Sequence, residues 1–242
     1  MATTIPNTYE AWEILYWAFY AYYSKTTYAV GTFGSSLDYK GNLAKITKSG
    51  WNADHKGQIY ADAAEGQCFA FDCIGYVKGT GWWGWGGRSD LRYGGATYKS
   101  NNMPDCSVHA FFRDYCFTRQ KITKDTKTVP IGTYCGLNDW SHIAIAAGNN
   151  TVLEATRYGT HNVRRARIAG LPTIKEFEKL PEREFDFYAY CKYVSFEETS
   201  IITDESGRET LIADYCLDNV FGVDGKIYNQ KPVYIQAVKI KK

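Results

Sequence analysis

The sequence predicts an α+β fold in which helices come first, strands follow, and a cysteine at a helix start packs against an antiparallel sheet. Three observations lead there. An aromatic run with helical spacing opens the chain, and the stretch Phe69-Ala70-Phe71-Asp72-Cys73-Ile74-Gly75 carries an apolar approach into a second helix. From Val129 onward, short apolar runs separated by turn signals replace the helical period.

Taken in order, Asn7 with Glu10 three residues on reads as a capping box, and Trp12, Leu15, Phe19 and Tyr22 or Tyr23 recur at helical spacing. The first helix therefore ends near Ser24 and buries its aromatic face. In residues 28–34, Gly31 and Gly34 stand where the backbone must turn or approach another segment closely. Residues 36–65 are polar, with weak helical signals at 43–48 and 59–64. The helix after Cys73 is expected to be short, broken by Gly79 and Gly81. The run 82–87 (WWGWGG) is a loop whose rings Trp82, Trp83 and Trp85 suit a substrate wall and equally suit anchoring the loop itself. A helix is expected over 108–116, followed by a charged connection through Lys127.

Residues 143–147 and 151–155 pair across Gly148-Asn149-Asn150, and 162–168 suits a third strand with one wet face. A short amphipathic helix over 174–180 and a strand over 187–196 follow. Residues 1–196 form the main domain, with 80–130 as an insertion on its substrate side. Residues 197–242 are acidic and then strand-like, too few for an independent core, and are expected to extend the main sheet; a small appended module is the alternative.

The net charge of +2 implies no strong attraction to nucleic acid or to an anionic membrane. No apolar run reaches the roughly 20 residues a membrane span requires, and the N-terminus lacks the basic segment of a signal peptide. The seven cysteines include no CxxC pair and no zinc-like Cys/His spacing, so neither a metal site nor a disulfide framework is expected. Reduced thiols suit a reducing cytoplasm.

Cys73 at a helix start would feel the helix dipole and unpaired N–H groups, both favouring thiolate. A cysteine nucleophile needs a base, and the base needs an orienting group. His142 on one arm of the hairpin and Glu154 on the other supply them, twelve positions apart. Cys68 is a competing nucleophile without the Asp-Cys-x-Gly setting, and His161 an alternative orienting or substrate-contacting group. His55 and His109 have no partner suggesting chemistry.

As a set, these motifs resemble the NlpC-type cell-wall peptidases, papain-like cysteine hydrolases of bacteria and their phages. Phe71-Asp72-Cys73-Ile74-Gly75 occupies the place of the family's aromatic-Asp-Cys-Ser-Gly run. His142-Ile143-Ala144-Ile145 takes that of its histidine strand, Gly148-Asn149-Asn150 that of its turn, and Glu154-Ala155 that of its third polar position. Tyr28 with Gly31 and Gly34 is similar to the family's Tyr-x-x-Gly-Gly approach, and the likeness is nearest to prophage lysins of Firmicutes, covering residues 8–194. Ile74 stands where the family has Ser, Ala144 where it has Gly, and Glu154 where His is commonest.

The resemblance implies a papain-like NlpC-type fold, with Cys73 as nucleophile, His142 as base and Glu154 as its orienting partner. It also implies that the Cys73 N–H and the Tyr28 hydroxyl serve the oxyanion and that Asp72 holds the free amine of a stem peptide. The reaction implied is hydrolysis of an amide in the peptide part of peptidoglycan, by a cofactor-free monomer made in the host cytoplasm and acting at the wall. An amidase cutting the sugar–peptide junction, a protein-directed protease or deamidase, and a non-catalytic wall-binding phage protein are the alternatives.

Overall fold

The computed structural model describes residues 9–82, 98–99 and 102–195, together with five short strands beyond them. It is an α+β structure. β1 (Tyr9–Glu10) leads directly into α1 (Ala11–Tyr23), which buries Ile14, Leu15, Ala18 and Phe19 completely or nearly so. That is the helical stripe the sequence displays, and burial rather than intrinsic propensity holds such a helix. Asn7, and with it the proposed cap, lies outside the described residues.

β2 (Thr26–Tyr28), β3 (Phe33–Ser36) and β4 (Phe69–Phe71) form a three-stranded sheet in the order β2-β4-β3. β2 runs parallel to β4, and its register sets Tyr28 opposite Phe71. Gly31 takes positive φ (78°) in the turn between β2 and β3, and Gly34 (φ 95°) lies inside β3 where its pairing with β4 shifts register. The polar stretch between β3 and β4 folds as α2 (Asn42–Ile46), α3 (Gly50–Asp54) and α4 (Lys56–Ala64), matching the weak helical signals at its two ends.

α5 (Cys73–Gly81) starts two residues beyond β4 and is almost wholly buried. It is short, as expected, and ends at Gly81, although Gly79 lies within it. A Cβ on Gly79 would lie 3.0 Å from the Phe33 carbonyl oxygen, and one on Gly81 2.7 Å from the Met103 side chain. The helix tolerates both glycines because close packing offsets their poor propensity, about 1 kcal/mol each. Gly75 is the most constrained: a Cβ there would sit 1.8 Å from the carbonyl oxygen of Thr32. Backbone cannot yield as a side chain does. Gly75→Ala is therefore expected to destabilise the protein by about 3 kcal/mol or more, a fall in melting temperature on the order of 10 °C for this size of chain. A calorimetric scan in which the variant melts with the wild type would contradict that close approach.

After α5 come α6 (Val108–Ala110), a π-helical turn at Phe111–Tyr115, and β5 (Cys116–Lys121). β5 replaces the expected charged connection. It is an edge strand, mostly exposed, so it shows no apolar alternation and becomes a strand through pairing with β11 (Phe187–Cys191). This part of residues 80–130 thus belongs to the main sheet. The remaining strands are β6 (Tyr134–Gly136), β7 (Ile143–Ala146), β8 (Thr151–Ala155), β9 (Val163–Ile168) and β10 (Glu182–Arg183). The sheet order is β10-β9-β8-β7-β6-β11-β5, antiparallel except between β10 and β9. In the β7–β8 hairpin, Gly148, Asn149 and Asn150 all take positive φ, as the Gly-Asn-Asn turn demands.

Both faces of β7 are covered. Ile143 and Ile145 pack with α1 and α5, while Ala144 and Ala146 join a second cluster with Val152, Ala166 and Tyr188. With both faces buried the strand reads as a continuous apolar run. The expected helix at 174–180 shrinks to one 3₁₀ turn, Lys175–Phe177. Phe177 is drawn inward, its ring 3.9 Å from the Arg165 guanidinium, and Pro181 restrains the residue before it. The expected strand over 187–196 is interrupted after Cys191 and resumes as β12 (Val194–Ser195), which pairs in parallel with β1.

Beyond residue 196, β13 (Thr199–Thr203), β14 (Glu209–Ala213) and β17 (Tyr234–Ile235) form one sheet, and β15 (Val220–Phe221) pairs with β16 (Ile227–Tyr228). None of them is hydrogen-bonded to the seven-stranded sheet, so in strand pairing they do not extend it. Among the described residues no helix is long and apolar enough to cross a membrane.

Candidate active site

Cys73 is the first residue of α5, and Asp72 is its N-cap. The Asp72 carboxylate accepts from the Gly75 N–H (2.5 Å) through Oδ1 and from the Gly31 N–H (2.6 Å) through Oδ2. The Asp72 N–H in turn donates to the Thr32 carbonyl at 3.0 Å. Asp72 thus clamps the start of α5 to the glycine turn between β2 and β3. Each oxygen of Asp72, the residue expected to hold a substrate amine, already accepts one backbone N–H. Burial raises its pKa, and the two N–H bonds oppose that rise.

The thiol environment also differs from expectation. Cys73 is 9% exposed. Burial pushes its thiol up to about 11, the Asp72 charge adds to the rise, and the N–H groups of Ile74 and Cys73 with the Tyr28 hydroxyl pull the other way. The helix-start donors act in the expected direction, but desolvation outweighs them. At neutral pH Cys73 rests as a thiol and needs a base to become a nucleophile.

His142 is the base that the sequence offers. It immediately precedes β7, and its Nε2 lies 2.5 Å from Glu154 Oε2 on β8. Glu154 has no exposed surface. It also accepts from Arg164 Nε at 2.8 Å and Arg183 Nε at 3.2 Å. Burial alone would raise the Glu154 pKa, but the His142 hydrogen bond and charge, with Arg183 and Arg164, bring it down to about 2. A carboxylate only accepts, so the His142 proton sits on Nε2 and Nδ1 is left as the basic nitrogen. The Phe185 ring stacks against the imidazole at 6.1 Å and helps to fix its plane.

Tyr28 connects the two halves. It lies near enough to Cys73 for the two side chains to shift each other's titration, and burial with the Cys73 and Asp72 charges raises its own pKa. Tyr28 and His142 line one cleft of about 380 Å³ with Leu137, Asp139, Thr156 and Arg157. Cys73 does not line the opening itself. It meets the cleft through Tyr28, and α5, which it begins, packs against β7 and β8. The Trp51 ring meets Tyr28 edge-on at 5.3 Å and is itself stacked on His55 at 3.7 Å. A separate cavity of about 410 Å³ is lined by Val30, Gly31, Phe33, Lys45 and Trp51 among others, and its lining holds no Cys, His or carboxylate.

The other candidates fall elsewhere. Trp82 is fully buried and its Nε1 donates to the Met103 carbonyl, so it anchors the chain and has no surface to offer a substrate. Trp83 and Trp85 lie outside the described residues. Cys68 is completely buried, in a small core with Ala29, Leu37 and Ile59, which pushes its thiol up to about 12. His161 lies beside Trp51 and His55, and its carbonyl accepts the Tyr28 N–H at 2.6 Å; it does not orient His142. His109 packs against Trp140. Sequence reasoning missed Arg164 and Arg183. Arg164 is legible once the β8–β9 register is drawn, because it stands directly opposite Glu154. Arg183 comes from β10 and carries no local signal.

Among the described residues no three His, Cys, Asp or Glu side chains are grouped to hold a metal ion. The chain matches no family model, no curated protein and no solved structure.

Proposed function

We propose that this protein is a papain-like cysteine hydrolase of the NlpC type, cutting an amide in the peptide part of bacterial peptidoglycan. The observation that carries the chemistry is the arrangement around Tyr28. It lies near Cys73 at the capped helix start, and it shares a cleft wall with His142, whose Nε2 is held by buried Glu154. The wall substrate rests on the motif set around Cys73, His142 and Glu154, which resembles that family.

In this reading His142 Nδ1 takes the thiol proton as Cys73 Sγ attacks the amide carbon, and Glu154 stabilises the resulting imidazolium. The Cys73 N–H and the Tyr28 hydroxyl face the developing oxyanion. The imidazolium returns its proton to the leaving amine. Water, deprotonated by Nδ1, then hydrolyses the thioester and frees Cys73. The raised thiol pKa suits this order, with proton transfer accompanying attack.

Mass spectrometry of purified Gram-positive peptidoglycan digested with wild type and with Cys73→Ala tests the proposal. New free amines and defined stem fragments are expected from wild type alone, and the fragments distinguish an endopeptidase from an amidase. Intact walls that nevertheless sediment the protein would replace this reading with a wall-binding one.

A further inference from the structure

Away from the candidate active site, two strands of the seven-stranded sheet bring cysteines face to face. β11 and β5 are antiparallel, and their register sets Cys191 directly opposite Cys116. The Lys192 N–H donates to the Tyr115 carbonyl at 2.9 Å, one residue beyond the pair on each strand, so the ladder bond flanks the pair and does not join it. Such a non-hydrogen-bonded pair has its Cα atoms about 4.5 Å apart and its side chains at their closest. A disulfide needs Cα atoms roughly 4.4–6.8 Å apart, so the backbone already stands within reach of one. Cys135, in β6, has no such partner: its register neighbours are Ala144 and Tyr188.

Both thiols of the pair are free. Cys191 is 1% exposed, whereas Cys116 is half-buried on the edge strand, where a dissolved reagent can meet it. The Cys116 side chain lowers the Cys191 thiol pKa, helped by the Tyr193 N–H and the Lys192 charge and opposed by burial, while burial raises that of Cys116. A third thiol, the half-buried Cys106, lies near enough to act electrostatically on Cys116. It belongs to the segment before α6 and has no strand register to align it with either.

We propose that Cys116 and Cys191 are a modification site for oxidants of the disulfide class, closing into a cross-strand disulfide that fastens the edge strand β5 to β11. With oxidised glutathione, the Cys116 thiolate attacks one sulfur of the oxidant, whose S–S bond breaks and releases one glutathione thiolate. The Cys191 sulfur then attacks the Cys116 sulfur of the mixed disulfide and expels the second glutathione. The two protons of the protein thiols end on the two glutathiones, and two electrons pass from the pair to the oxidant. The bond would close a loop of about 75 residues, and cross-linking a loop of that length removes much freedom from the unfolded chain. Under the wall-hydrolase reading, closure would follow release from a reducing cytoplasm; closure itself does not depend on that reading, and its test does not use hydrolysis.

The full chain is incubated with oxidised glutathione at mildly alkaline pH, its remaining thiols are blocked in acid, and it is digested without reduction for mass spectrometry. The expected product is a linked pair of peptides containing Cys116 and Cys191, with a melting temperature raised by about 5–15 °C and returned to its starting value by dithiothreitol. Cys116→Ser, at a half-buried position, is expected to give neither the link nor the rise. Glutathione left on Cys116 without closure, a link from Cys106 to either cysteine, or no reaction at all would overturn the proposal. So would a Cys116–Cys191 link that leaves the melting temperature unchanged, or a rise that persists in Cys116→Ser.

Discussion

His142→Ala is expected to lower peptidoglycan hydrolysis by about 10⁴-fold or more while leaving the fold near wild-type stability. The rate falls because nothing else in the cleft offers a basic nitrogen to a thiol whose pKa is pushed up to about 11. Stability holds because Glu154 keeps two partners, Arg164 at 2.8 Å and Arg183 at 3.2 Å, when the imidazole is gone. The cost left is the gap beside Phe185, about 2 kcal/mol or less. Amine release from walls and a urea titration measure the two halves separately. Turnover within tenfold of wild type would remove His142 from the mechanism.

Glu154→Gln is expected to damage stability and activity together. It leaves Arg164 and Arg183 beside a neutral amide at a fully buried position, and unpairing buried charges in this way costs about 3–5 kcal/mol. The amide oxygen can still accept from His142 Nε2, so orientation partly survives, but the imidazolium loses its counter-charge; a rate loss of about 10²-fold or more follows. The same carboxylate sets an acid limit. Its pKa is lowered in the fold from 4.5 to about 2, so its stabilisation is fully present above pH 4.5 and is lost as the pH falls toward 2. The amount at stake is roughly 3 kcal/mol. Urea midpoints between pH 7 and pH 2.5 should show this acid loss in wild type and a shallower one in Glu154→Gln. Equal acid slopes in the two proteins would show that Glu154 is not the titrating group.

The contrast between these variants reflects what the sequence shows and what it hides. α1 was legible because Leu15, Phe19 and their neighbours repeat at helical spacing and are in fact buried. The β7–β8 hairpin was legible because Gly148-Asn149-Asn150 supplies three residues that tolerate positive φ. His142 and Glu154 could be paired from that hairpin alone. Arg183 could not, since it reaches Glu154 from a strand 29 positions away that pairs in parallel with β9. α5 is short and ends at Gly81 as its glycines suggest, but Gly79 stays helical because it packs closely against Phe33, a contact invisible in local propensity. β5 was missed because an exposed edge strand takes its structure from β11 and not from its own pattern. Trp82, in a glycine-rich run, reads as a loop ring until its burial is seen.

The most direct measurement is capture of the covalent intermediate. Wild type is mixed with purified peptidoglycan, quenched in acid within the first turnovers, cleaved to peptides and searched by mass spectrometry for an acylated thiol. The expected result is a stem-peptide acyl group on the peptide containing Cys73, accumulating in wild type and missing from His142→Ala. Wall cleavage with acyl groups on Cys68 or on no cysteine at all, or cleavage that persists in Cys73→Ala, would contradict the assignment of Cys73 as nucleophile.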